Sequence, residues 1–204
     1  MSTRDQLRRR LRGERAALSE DARTHLADQI ARHIIRSPLF NRARRIAVYM
    51  PNRGEVDPGP VIAVARARRK QLYLPVLDPR HPHRLWFLPW AARTRLQPNR
   101  FGIPEPVISR GQRLSPRHLD LVLTPLVGFD RQGNRLGMGG GYYDTTFEFL
   151  TGRQHWHKPH LLGLAYGFQE VDALPHEPWD VPLSAIVTEH GLMRPKGGRM
   201  KDEG

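Results

Sequence analysis

IAVYMPNRGEVDPGPVIAVARARRKQLYLPVL, Ile46 to Leu77, carries the pattern that decides the fold. IAVYM, Ile46 to Met50, is apolar on both faces, as a short strand is when both sides of its sheet are covered. Asp57 as N-cap, with Pro58 at the first helical position, opens a helix through about Arg69. QLYLPVL, Gln71 to Leu77, reads as a second buried strand, so the stretch forms a βαβ unit with parallel strands.

Upstream, Leu7, Leu11 and Leu18 fall on one helical stripe, and Arg4, Arg8, Arg12 and Arg15 form an adjacent one. Ser19, followed by Glu20 and Asp21, caps a second helix, which carries Ala22, Leu26, Ile30 and Ile34 and stops at Ser37-Pro38. Downstream, Asp78 to Ser115 is rich in Pro, His and Arg and predicts one strand, RLWFL around Trp86. LDLVLTPLVGFD, Leu119 to Asp130, returns to an apolar strand, and the turn DRQGNR leads to a glycine-rich segment and a helix over Tyr142 to Leu150. HLLGLAYG near Leu162 and AIVTE near Ile186 supply later strands. The expected fold is a single α/β domain over residues 1–193. Its layered sheet is largely parallel, with helices on both faces. A polar tail, 194–204, is expected to be disordered.

The 33 Lys and Arg exceed the 20 Asp and Glu by 13, a balance that favours anionic partners. The basic residues are spread along the chain and form no nucleic-acid motif, so a small anionic ligand is expected rather than a specific nucleic acid. With no cysteine, disulfides, thiolate catalysis and Cys-based zinc sites are excluded. No apolar run approaches the ~20 residues of a membrane span, and the N-terminus has no apolar signal core. A cytoplasmic protein without a membrane partner is the expectation. His81, His83, His155, His157, His160 and His176 have no acidic ligand at matching spacing and read as loop histidines.

RLGMGGGYYD, Arg135 to Asp144, holds the candidate chemistry. Gly137, Gly139, Gly140 and Gly141 let the backbone approach a ligand, with consecutive amides facing phosphate oxygens. A helix starting near Tyr142 adds its positive end. The segment is neither a Walker A loop nor GxGxxG. A bare glycine cluster serves a surface turn equally well. Its neighbours point to a ligand: Arg135 can fork a phosphate, Asp144 can hold a hard cation, and Tyr142 and Tyr143 can cover a planar ring.

This segment resembles the RLGxGxGYYD signature of the 5-formyltetrahydrofolate cyclo-ligases. RDQLRRRLRGERAALS, MPNRGEVD, FGIPEP and WDVPL are similar to other family segments and follow in the family's order. The resemblance runs from Arg4 to about Glu189. It implies a layered fold of the NagB/RpiA/CoA-transferase-like kind. It also implies ATP-dependent cyclisation of 5-formyltetrahydrofolate to 5,10-methenyltetrahydrofolate through a phosphorylated formyl group, with Mg2+; a monomer is the expectation for its assembly. Carried over residue by residue, it implies ATP contacts at Arg4, Arg8, Arg135, Leu136, Gly137, Met138, Gly139, Gly140, Gly141, Tyr142 and Tyr143. Folate contacts are implied at Met50, Glu55, Phe101 and Tyr142, and magnesium at Asp144 and Asp180. Two positions depart from the family pattern: Arg4 replaces a frequent lysine, and Thr145 a frequent basic residue.

Overall fold

The computed structural model describes residues 3–107, 112–151 and 158–195. The chain opens with α1 (Thr3–Ala16), α2 (Glu20–Arg36) and a five-residue α3 (Pro38–Arg42). β1 (Arg45–Ala47), α4 (Gly59–Ala67) and β2 (Gln71–Leu77) form the expected βαβ unit, with Ile46 opposite Leu72 in a parallel ladder. β3 (Leu85–Pro89) returns antiparallel to β2, while β4 (Leu96–Pro98) and β5 (Pro104–Pro106) form a separate ribbon. β6 (Leu121–Pro125) lies on the other side of β1. A hairpin follows, of β7 (Gly128–Phe129) and β8 (Arg135–Leu136), and then α5 (Tyr142–Phe147). β9 (His160–Leu164) and β10 (Ala185–Thr188) extend the sheet, and β11 (Gly191–Met193) closes it antiparallel.

The seven-stranded sheet has the order β11-β10-β9-β6-β1-β2-β3, so its five inner strands are parallel. Alternate residues feed opposite cores, as the pleat requires. Ile46, Leu121, Leu123, Leu162 and Val187 join Ile30, Ile34 and Phe40 of α2 and α3 and Val61 of α4 in one core. Ala47, Val122, Leu161 and Ile186 point the other way, into a core with Phe87, Phe129 and Phe147. Both faces are covered. The second is covered by short α5 and loop side chains more than by long helices.

The boundaries differ where Pro and capping intervene. Ser37 ends α2 as expected, yet its hydroxyl then accepts the Phe40 N–H at 3.2 Å and starts α3. α4 begins at Gly59 rather than Pro58, with Asp57 accepting the Gly59 N–H at 2.8 Å. The single strand expected over Leu119 to Asp130 breaks after Pro125, and the chain leaves the main sheet for the β7–β8 hairpin. β4, β5 and β11 were not visible as strands, because Pro-containing or three-residue segments carry no apolar alternation. His155, His157 and nearly all of the 194–204 tail lie outside the described residues.

Leu74, central in β2, is fully buried. Leu74→Ala should cost about 2–5 kcal/mol, read as a lower urea midpoint with an unchanged slope.

Candidate active site

Strand order reverses between β1 and β6, and open α/β sheets place ligand crevices outside the carboxyl ends of strands at such a point. Two segments leave the sheet there. Met50 to Val56 follow β1, and Leu126 onward follow β6. α1 joins both. Leu11 is buried with Val127, Leu136 and Leu174, and a Cβ on Gly128 would lie 2.7 Å from the Leu11 Cδ1.

The β7–β8 hairpin delivers the glycine segment, with the Val127 N–H donating to the Leu136 carbonyl at 2.7 Å. Gly139 at φ 100° and Gly141 at φ 66° hold left-handed backbone that favours glycine. A Cβ on Gly140 would fall 2.7 Å from the Tyr142 ring. α5 is six residues long and runs on as a 3-10 turn, Glu148–Leu150, so its dipole is small.

Most of the expected site residues fall into three groups. In the first, Arg8 Nε donates to the Gly137 carbonyl at 2.9 Å and Nη1 pairs with Asp5 at 2.6 Å, tying α1 to the glycine loop. Met138 and Gly139 are exposed beside it.

The second is a charge cluster. Arg135 is buried, and it donates to Asp144 Oδ1 at 2.5 Å and to the Val181 carbonyl. Asp144 Oδ1 also accepts the Val181 N–H at 3.0 Å. Arg4 pairs with Asp180 at 3.1 Å, and Asp180 accepts the Glu177 N–H at 2.9 Å. The Arg135 fork therefore faces a carboxylate and a carbonyl rather than open space. Burial pushes its guanidinium below the usual arginine range, with Asp144 and Asp180 opposing.

The third is aromatic. Phe101, 51% exposed, meets the Tyr142 ring edge-on at 6.0 Å, and Arg100 donates to the Tyr142 hydroxyl. Tyr143 stacks on Phe147 at 6.2 Å.

Met50 is half-buried against the main core, and Leu136 is fully buried beneath the glycine loop. Glu55 is half-buried and accepts the Asn52 N–H at 3.1 Å. Burial pushes its carboxyl above the usual range, against the Asn52 hydrogen bond and the charges of Arg15 and Arg53.

A cleft of about 1020 Å3 lies between α1, the β1 loop and the glycine loop. Arg8, Arg9, Arg12, Arg23 and Arg53 line it together with Gly54, Met138 and Gly139, and Asp5 is its one acid. Such a wall attracts polyanions. Three elements distant in sequence thus share one basic cleft. Of its arginines, Arg9, Arg23 and Arg53 carried no readable signal, while Arg12 stood on the arginine stripe. His83 was also missed. Exposed as expected, it nevertheless donates from Nδ1 to the Gly140 carbonyl at 2.7 Å.

Among the described residues no group of three His, Cys, Asp or Glu side chains is placed to hold a metal. Asp144 and Asp180 each engage one oxygen, leaving the other without a hydrogen bond among those residues. Two half-free carboxylates suit an ion that takes most of its ligands from phosphate and water, as Mg2+ does, and do not make an all-protein cage.

The family model described as "5-formyltetrahydrofolate cyclo-ligase family" matches residues 1–189. The chain belongs to the 5-formyltetrahydrofolate cyclo-ligase family. It is 40% identical over 187 residues to the 5-formyltetrahydrofolate cyclo-ligase of Haemophilus influenzae, covering 90% of this chain and 96% of that one. The cyclo-ligase of Escherichia coli K12 is 39% identical over 178 residues, covering 87% and 96%. The NMR structure of Aquifex aeolicus 5,10-methenyltetrahydrofolate synthetase superposes with a TM-score of 0.81 at 31% identity, covering 99% of this chain and 97% of that one.

Because burial raises the Glu55 carboxyl above the usual carboxylate range, the fold favours its protonated form more than the unfolded chain does. That contribution is full below the unfolded value and is lost as pH rises through the folded one. Glu55→Gln should therefore gain thermal stability over wild type at neutral pH, and the gain should shrink as pH falls below the carboxyl titration. A stability difference independent of pH would contradict this.

Proposed function

We propose that this chain closes 5-formyltetrahydrofolate to 5,10-methenyltetrahydrofolate with ATP and Mg2+, releasing ADP and phosphate. The observation that carries the reading is the shared cleft. α1, the loop before Glu55 and the glycine loop meet around one arginine-lined space, as a reaction joining a nucleotide to an anionic folate requires. The family's name and the relatives' names supply the substrate class.

In this reading the formyl oxygen attacks the γ-phosphorus and ADP leaves. N10 then attacks the activated formyl carbon, phosphate departs and N10 loses its proton. The nucleophiles are the substrate's own, so the protein must position them and neutralise charge. Amides of Gly137 to Gly141, with Arg8, cradle the phosphates. Arg135 holds Asp144 in place, and Arg4 holds Asp180. When bound, Mg2+ neutralises phosphate charge beside these two carboxylates. Glu55 and Met50 face the pterin side, and Phe101 and Tyr142 offer ring surface to a planar group. On this reading the chain is a cytoplasmic monomer with residues 1–193 as one domain; its cysteine-free composition is compatible with a reducing compartment, and its dispersed basic residues with no specific nucleic-acid partner.

Purified protein with MgATP and 5-formyltetrahydrofolate should develop the near-ultraviolet absorbance of the methenyl product. Asp144→Asn keeps an acceptor for Arg135 while removing the charge and one carboxylate oxygen, so kcat should fall about 100-fold or more with the fold intact. A full-rate Asn variant would sink the assignment. Raising salt from low to physiological levels should weaken apparent affinity for both anionic substrates. Affinities indifferent to salt would remove the arginine wall from the mechanism.

A further inference from the structure

Arg15, in the last turn of α1, is 1% exposed and heads the largest fully buried side chains. It stands four residues after Leu11, where the helix faces the core. A cation there is costly unless well paired, yet no carboxylate lies within ion-pair distance of it among the described residues. Nε donates to the Arg53 carbonyl at 3.1 Å, and Nη1 to the Leu126 carbonyl at 3.3 Å. Nη2 is buried with no partner among the described residues, and so is the hydroxyl of Tyr166. Buried polar groups left unspent in this way call for an explanation beyond packing.

The two carbonyls explain the placement. Arg53 belongs to the loop after β1, at φ 51°, with Gly54 at φ 76° and Glu55 next in line. Leu126 begins the segment after β6, whose Val127 holds Leu136 at the foot of the glycine loop. Gln169 reinforces that segment, donating to the carbonyls of Leu126 at 3.1 Å and Val127 at 2.7 Å. One rigid guanidinium therefore spans both lips of the crevice at the strand-order reversal. A planar fork fixes spacing and angle in a way a single ammonium does not.

We infer that Arg15 is a positioning residue that locks the loop bearing Glu55 to the segment carrying the glycine loop, setting the distance between the folate side and the phosphate side. The inference rests on the proposed function for what each lip binds. The lock itself is a property of the chain.

The test compares wild type with Arg15→Met, which fills the space without donors, and Arg15→Lys, which keeps the charge without the fork. Both variants should keep the sheet, seen as unchanged hydrogen exchange in β2, β6 and β9. Amides of 50–56 and 137–141 should exchange faster together. KM for ATP and for 5-formyltetrahydrofolate should rise in parallel, about tenfold or more in the Met variant, with Lys between Met and wild type. Wild-type exchange and KM values in a folded Met variant would overturn the inference. So would a change confined to one lip or one substrate. If Met fails to fold, Lys decides by the same criteria. If Lys also fails to fold, Arg15 is a folding determinant and the inference is lost. If wild type forms no methenyl product, the proposed reaction fails, and paired or unpaired acceleration of the two lips still decides the lock.

Discussion

Past the carboxyl ends of β1 and β6 the chain turns toward opposite edges of the sheet, and some carbonyls of the segments and hairpin that follow have no strand partner. Peptide groups in that position need other partners. Here side chains of α1 supply them: Arg8 takes the Gly137 carbonyl, and Arg15 takes those of Arg53 and Leu126. The same helix face that completes the backbone also presents Arg9 and Arg12 to the cleft. Structure and ligand attraction thus come from one arginine-rich segment.

Two kinds of arginine result, and burial separates them. Arg15 and Arg135 are withdrawn from water and bond to carbonyls or a carboxylate, so their work is geometric. Arg12 and Arg53 stay exposed at the cleft and act through their field, which salt screens. A net charge of +13 does not distinguish these roles.

Much of this was readable from residue patterns. β1, α4 and β2 announced themselves because a strand covered on both faces is apolar at successive positions, and the glycine segment because Arg135, Tyr142, Tyr143 and Asp144 flank its glycines. The reading failed where tertiary contacts decide. Arg15 looks like one more solvated arginine until its neighbours are seen, and no residue pattern shows that Asp144 and the Val181 carbonyl meet the Arg135 fork. Pro104 and Pro106 in β5 hide a strand that pairs only with another short segment. His83 lies far along the chain from the carbonyl it reaches.

α1 meets the rest of the protein through a small apolar cluster around Leu11 and a handful of polar bonds, whereas the sheet is gripped by two large cores. Segments with few buried apolar contacts open at lower free energy than the global transition. α1, Thr3–Ala16, is accordingly a wing whose opening costs less than that of the sheet. Anything bound between that wing and the glycine loop would fasten it down, so occupancy and N-terminal order rise and fall together.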